Sequence, residues 1–205
     1  MISHANDLIA KYPLISDQVD RTELRVILSQ LESRLDGNEG AVVEFGCYIG
    51  TTSLFIRRLL DVHGSGAPLY VYDSFEGLPD KTGPDASPAG EQFKTGELSV
   101  SKKEFIMQFK KAGLKLPRVT KGWFSDLTEA DVPDDINFAY LDGDYYESIM
   151  TPLRLIWPKL RPGAIVVVDD YANEALPGAA KAVDEWLRTH PAGLRVESSL
   201  AIITL

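Results

Sequence analysis

A doubly wound α/β domain, with a mostly parallel seven-stranded sheet and helices on both faces, is the fold that the sequence predicts. Short β-rich runs alternate with helical segments from Ala41 onward, the pattern of right-handed βαβ units. One of these runs, Ala164–Val168, is wholly apolar, as a strand buried on both faces must be. The 205 residues have the length of one domain, and 44% hydrophobic against 25% charged residues is the balance of a globular core.

Taken in order, Leu24, Ile27, Leu28, Leu31 and Leu35 form one apolar stripe. It predicts a helix over Ser16–Leu35, stopped by Asp36-Gly37-Asn38. Ala41–Phe45 is a strand ending at Gly46, and Thr51–Val62 is a helix whose Leu54 and Leu59 suit packing on a sheet. Leu69–Tyr72 is the next strand and ends at Asp73. Gly, Pro, Asp and Ser dominate Ser74–Leu98, and a connection of that length points to a mobile loop over a site. Ser101 and Glu104 have capping-box spacing, so a helix runs through Phe105, Ile106 and Phe109 to Ala112. Arg118–Thr120 and Ile136–Leu141 are strands, the second ending in Asp142. The helix after it is expected to be interrupted by Pro152 and ended near Pro158. Ala164–Val168 ends in Asp169-Asp170, and Ala179–Thr189 is helical. Leu194–Glu197 and Leu200–Leu205 close the sheet as an antiparallel pair joined by Ser198-Ser199. Neither a repeat nor a linker divides the chain. Residues 1–205 are read as one domain, with 1–40 an N-terminal helical segment and 74–98 the mobile loop.

Thirty acidic against 21 basic residues leave a net charge of −9, which argues against nucleic acid or an anionic membrane as partner. Cys47 is the lone cysteine, so an internal disulfide is excluded and a reducing, cytoplasmic setting is expected. No apolar run is long enough to cross a bilayer, and no signal peptide is expected. His4, His63 and His190 are scattered, which disfavours a His-rich zinc site.

Glu44-Phe45-Gly46-Cys47-Tyr48-Ile49-Gly50 lies where a strand hands over to the helix that begins at Thr51. Glycines there let backbone approach a ligand, and the helix N-terminus offers unpaired N–H groups. The dinucleotide fingerprint G-x-G-x-x-G is absent, because position 48 is Tyr. The pattern present, E-x-G-x-x-x-G, resembles the first motif of class I S-adenosylmethionine (SAM) methyltransferases; a plain strand-to-helix turn would carry the same residues. Asp73 stands where a carboxylate can accept both ribose hydroxyls, or can simply cap the turn that follows. NAD and SAM enzymes share such an acid. Cys47 and Tyr48 read as loop and packing residues, not catalysts.

Asp142-Gly143-Asp144 and Asp169-Asp170 close two strands that lie side by side in a doubly wound sheet. Two charges about 4 Å apart repel by roughly 4 kcal/mol at an effective dielectric near 20. Protonation or a bound cation must relieve that. Oxygen-only ligands favour a hard ion such as Mg2+, Ca2+ or Mn2+. Any single one of these acids could be a helix N-cap instead. Asp142-Gly143-Asp144 also matches the D-x-D metal motif of nucleotide-sugar glycosyltransferases, a reading that leaves the glycine turn and Asp169-Asp170 unexplained.

Three blocks carry a resemblance to a known family: Val71–Pro79, Leu141–Ser148 and Val168–Tyr171. In order and spacing they resemble the macrocin O-methyltransferase (TylF-type) family, over roughly residues 40 to 190. The resemblance implies a Rossmann-like class I methyltransferase fold, SAM and Mg2+ as cofactors, and methylation of sugar hydroxyls of antibiotics. It implies Asp142, Asp169 and Asp170 as metal ligands and Asp144 as the general base. Glu44, Gly46 and Asp73, with Cys47, Tyr48, Gly50, Thr51, Ser74, Phe75 and Asp142 around them, match the SAM pocket. Gly122, Trp123 and Phe124 resemble the block that flanks the adenine; the two aromatics could equally be core residues. The chain looks shorter than typical members before its first strand, where an acceptor lid and oligomer contacts would be built.

The expected reaction is methyl transfer to a hydroxyl of a small acceptor, without a covalent enzyme intermediate. The rivals are an O-methyltransferase of catechol-like molecules, a metal-dependent glycosyltransferase and a non-catalytic SAM-binding module. A homo-oligomer is compatible with the sequence.

Overall fold

Seven strands form one sheet in the order β3-β2-β1-β4-β5-β7-β6. They are β1 (Ala41–Phe45), β2 (Leu69–Asp73), β3 (Arg118–Lys121), β4 (Ile136–Leu141), β5 (Leu160–Val168), β6 (Gly193–Glu197) and β7 (Leu200–Thr204). The first five run parallel, while β7 lies antiparallel to β5 and β6 to β7. This computed structural model describes residues 4–35, 40–89 and 92–205. The expected helix stop at Asp36-Gly37-Asn38 lies outside the described residues.

The helices are α1 (His4–Lys11), α2 (Arg21–Glu32), α3 (Thr51–Val62), α4 (Lys102–Ala112), α5 (Tyr146–Ile156) and α6 (Pro177–Leu187). Strand residues alternate between the two faces, so neighbours in sequence belong to different cores. Val42, Val71, Phe138 and Val167 pack against the apolar sides of α1, α2, α3 and α4. Val43, Tyr72, Ala139 and Val168 pack against α5 and α6. The expected doubly wound architecture is therefore present, with its antiparallel pair at one edge.

The differences from expectation are local and have local causes. Helix α2 starts at Arg21, not Ser16, because Asp20 caps it: the Asp20 carboxylate accepts from the N–H groups of Thr22 (2.6 Å) and Glu23 (3.3 Å). Helix α1 falls within the expected N-terminal helical segment but was not assigned separately; only Ala5, Leu8 and Ile9 are buried along its eight residues, too few to show a period. Pro152 does not interrupt α5, which continues through it. The Ser148 carbonyl that Pro152 cannot pair lies against Gly143, where a Cβ would approach it to 2.6 Å.

Ser74–Leu98, read as a mobile loop, has its own small core of Leu78, Tyr145 and Leu176 with Phe93 and Leu98. Asp85, buried in this segment, accepts the Tyr146 N–H at 2.7 Å and Thr82 Oγ1 at 2.7 Å. It thereby caps α5 from a distance in sequence that no local motif announces. No helix of the described residues is long and apolar enough to cross a membrane.

Candidate functional site

Strand order reverses around β1, which has β2 on one side and β4 on the other; a crevice opens there beyond the carboxyl ends of the strands. The chain's charged strand ends meet at this crevice. The Asp142 N–H donates to the Phe45 carbonyl (2.8 Å) and the Asp169 N–H to the Leu141 carbonyl (2.8 Å), so the sheet ladder itself sets the acids side by side. A cavity of about 550 Å3 occupies the crevice, within the range of small-molecule sites.

One wall is the glycine turn. Gly46 has φ +83°, and a Cβ on it would fall 1.8 Å from the Asp142 carbonyl oxygen. Only glycine lets β1 pass β4 this closely. Gly50, with φ +96°, stands at the N-cap of α3, and a Cβ there would strike the Phe105 ring at 2.8 Å. Asp73 ties the turn together: its Oδ2 accepts from the N–H groups of Cys47 (2.8 Å) and Tyr48 (3.2 Å), and its Oδ1 from Phe75 (2.7 Å). It does cap the following turn; Oδ2 has both its lone pairs taken, and Oδ1, with one donor, keeps a further lone pair.

Glu44 lies beneath the turn, fully buried and off the cavity wall. Ser53 donates to its Oε2, while Oε1 has no partner. Burial pushes its carboxyl up to about 8. Burial, with the charges of Asp73 and Glu44, pushes the Cys47 thiol well up, so Cys47 is no thiolate nucleophile.

The floor is the acid cluster. Carboxylate oxygens of Asp142, Asp144 and Asp170 all lie within 4.8 Å of one another. Asp144 (φ 63°) and Asp170 (φ 58°) hold left-handed backbone, tolerated by Asp and common where side chains are aimed at ligands. Recess from bulk water, then the charges of Asp169 and Asp144, raise the carboxyl of Asp142 far above the carboxylate range. Asp144 is raised for the same first reason, with Asp170 and Asp169 adding to it. Asp169 is pushed up to about 7 by burial and Asp170, against the hydrogen bonds it accepts from Tyr140 and the Asp170 N–H (2.8 Å). No Lys, Arg or His among the described residues pairs with any of these four acids. A hard divalent cation fits such a donor set: it is the species that would relieve the repulsion.

Of the residues singled out from sequence, Gly46, Cys47, Tyr48, Asp73, Ser74, Trp123, Phe124 and the four acids line the cavity. Gly50, Thr51, Phe75 and Gly122 do not. Thr51 is buried and bonds Ser16 (Oγ to Oγ1, 2.9 Å), and Phe75 packs on Phe105 with ring centroids 5.9 Å apart.

Several residues of the site escaped sequence reasoning. Asp17, Gln18, Asp20 and Glu23 line the cavity, three of them hidden inside an over-long helix assignment and the fourth behind its apolar stripe. Tyr140 was legible only by strand alternation: two residues before Asp142, it shares that face, and its hydroxyl sits between Asp142 (3.2 Å) and Asp169. Asn173 holds Asp170 through Nδ2 at 2.8 Å.

Comparison with known proteins agrees with this geometry. The model of the family described as Macrocin-O-methyltransferase (TylF) matches residues 20–197. A tetracenomycin-C rhamnosyl 4'-O-methyltransferase of Streptomyces olivaceus is 35% identical over 147 residues, 68% of this chain and 56% of the relative. Demethyldecarbamoylnovobiocin O-methyltransferase of Streptomyces niveus is 32% identical over 72% of this chain and 58% of its own length. The chain thus spans a little over half of these two relatives. Among solved structures, the O-methyltransferase NovP superposes with a TM-score of 0.77 at 28% identity, covering 91% of this chain and 80% of that one. An O-methyltransferase from Bacillus cereus in complex with SAH shares the fold, with a TM-score of 0.60 at 15% identity. The sheet and its helices are those of the class I Rossmann-like methyltransferases.

Proposed function

This chain belongs to the macrocin O-methyltransferase (TylF) family, and on that premise we propose that it transfers a methyl group from SAM to a sugar hydroxyl of a natural product. The acid floor carries the proposal: raised, recessed carboxylates beside a glycine turn are what deprotonation of a hydroxyl next to SAM requires. When bound, SAM supplies an electrophilic methyl on a sulfonium, and a hard divalent cation supplies the charge that lowers a hydroxyl's pKa. Asp73 would accept the ribose hydroxyl hydrogens, and Trp123 and Phe124 would flank the adenine. Asp142, Asp169 and Asp170 would hold the cation, and Asp144 would take the proton of the acceptor hydroxyl as its oxygen gains the methyl. Ser74–Leu98, whose Leu78, Pro79, Phe93 and Leu98 line the cavity, would close over it as a lid.

One observation favours an exchange of roles. Asp144, not Asp169, shares the three-oxygen cluster with Asp142 and Asp170, while both Asp169 oxygens already accept hydrogen bonds. In this second reading Asp144 is a ligand, and Asp169 acts through Tyr140 to orient Asp142.

The acceptor side of the cavity is acidic too. Asp17, Asp20, Glu23 and Glu147 line it, and no Lys, Arg or His does among the described residues. A diphosphate would meet repulsion from almost every direction. The acceptor sugar is therefore read as one attached to a neutral or cationic aglycone, not to a nucleotide.

An acceptor screen with SAM and Mg2+, reading products by mass, tests the reading. Methylated glycosides with SAH release are expected. Tight binding of a nicotinamide cofactor, or binding of a nucleotide sugar with no SAM affinity, would overturn it.

A further inference from the structure

Two of the three histidines that lie far apart in sequence meet in the fold. His4 opens α1, Glu32 ends α2 and His63 caps the C-terminus of α3. Three groups converge on one oxygen, Glu32 Oε1: His63 Nε2 at 3.0 Å, His4 Nδ1 at 3.2 Å and the His4 backbone N–H at 2.9 Å. The two rings stand edge to face, centroids 4.7 Å apart, so their nitrogens approach that oxygen from different sides. Both imidazole nitrogens and the carboxylate oxygen lie within 4.8 Å of one another.

From this we infer that His4, Glu32 and His63 form a second cation site, suited to a borderline divalent ion such as zinc, which fastens α1 to α2 and α3. One imidazole is enough to satisfy a surface carboxylate; two aimed at a single oxygen make a mixed nitrogen–oxygen donor set. Ligand atoms around tetrahedral zinc lie about 3.4 Å apart, given zinc–nitrogen bonds of about 2.0–2.1 Å. The observed 3.0 and 3.2 Å need only a few tenths of an ångström of adjustment. Glu32 and His63 are shielded, with side chains 18% and 17% exposed, while His4 at 42% leaves a side open for a water ligand. Two imidazoles and one carboxylate suit zinc, copper or nickel and are poor for magnesium, so this site and the acid floor would not compete for the same ion.

The test uses the full chain without a histidine tag. Zinc is titrated by calorimetry, and copper(II) is added as a spectroscopic probe, because nitrogen couplings in its paramagnetic resonance spectrum report imidazole ligands that the all-oxygen floor lacks. One equivalent of zinc with nitrogen-coupled copper is expected in the wild type. His4→Gln and His63→Gln should each weaken zinc at least tenfold and reduce the copper couplings from those of two imidazole nitrogens to at most one, and Asp142→Asn should leave both. Because His4 is the more exposed of the two imidazoles, its variant keeps the test independent of any folding defect at His63. A wild type whose copper spectrum lacks nitrogen couplings, or a coupling pattern unchanged in both histidine variants, would overturn the inference.

Discussion

Two groups of carboxylates in this molecule show what pairing does to an acid. At the crevice, Asp142, Asp144, Asp169 and Asp170 face one another without a basic partner; recess drives their carboxyls upward, with mutual charge adding to it for the first three and Glu23 for Asp170. At the junction of α1, α2 and α3, Glu32 is met by two imidazoles and a backbone N–H. The second group is satisfied where it stands, and its place is structural. The first is held close together by a rigid sheet, in a state that protonation or a bound cation would relieve. Strand ends supply the rigidity: the ladder bonds at Asp142 and Asp169 forbid the acids from moving apart.

The largest effect should come from breaking the unpaired group at its centre. Asp144→Asn is expected to cut turnover by roughly 10²–10⁴-fold while metal affinity stays near normal, the signature of a lost proton acceptor. Asp142→Asn and Asp170→Asn should lose metal affinity and activity together and recover in part at high Mg2+. Metal titrations beside methyl-transfer rates separate the two patterns. If Asp144→Asn is the variant that magnesium rescues, Asp144 is a ligand and the exchanged roles hold.

Next in size is the acid that the glycine turn does satisfy. Asp73→Ala should weaken SAM binding by about 1–3 kcal/mol, through lost charge-assisted hydrogen bonds and a loosened turn. Calorimetry on the variant measures this, and unchanged affinity would take Asp73 out of the site.

A smaller effect concerns stability. The carboxyls of Asp169 (about 7) and Glu44 (about 8) sit above their unfolded values, so the folded chain holds more protons between those limits. Stability of the metal-free protein should therefore fall as pH rises from about 4 to 8, with a loss in Tm of several degrees, about 2–4 °C for each kcal/mol. Adding Mg2+ at pH 8 should recover most of the part due to Asp169. A Tm that rises over this interval would show that the acids are compensated after all.

The smallest expected change lies at the acceptor wall. Glu23→Gln should strengthen inhibition by nucleoside diphosphates about two- to threefold, the size of one screened charge interaction, about 0.5 kcal/mol. Inhibition unchanged in Glu23→Gln and in Asp17→Asn would mean that wall charge does not select the acceptor.

Strands, helices and strand-end acids were legible along the chain because their signals are local. Ala164–Val168 is apolar enough to be only a buried strand, Ser101 and Glu104 cap their own helix at three residues' distance, and Asp142 and Asp169 follow directly on β4 and β5. Asp20 was visible as a residue but not as a cap, since the stripe behind it continues the helical period while the cap depends on one side-chain rotamer.

The sequence by itself determined the fold class, the crevice and which strand-end acids border it, since backbone alternation and strand ends follow from periodicity alone. Tertiary structure decided which carboxylates come within a cation's reach of one another, that Tyr140 bridges Asp142 and Asp169, and that Asp17, Gln18 and Asp20 wall the cavity. It alone brought His4 and His63, read as scattered, onto one oxygen of Glu32. Contacts between residues dozens of positions apart depend on how helices pack across a sheet, and no spacing along the chain encodes that distance.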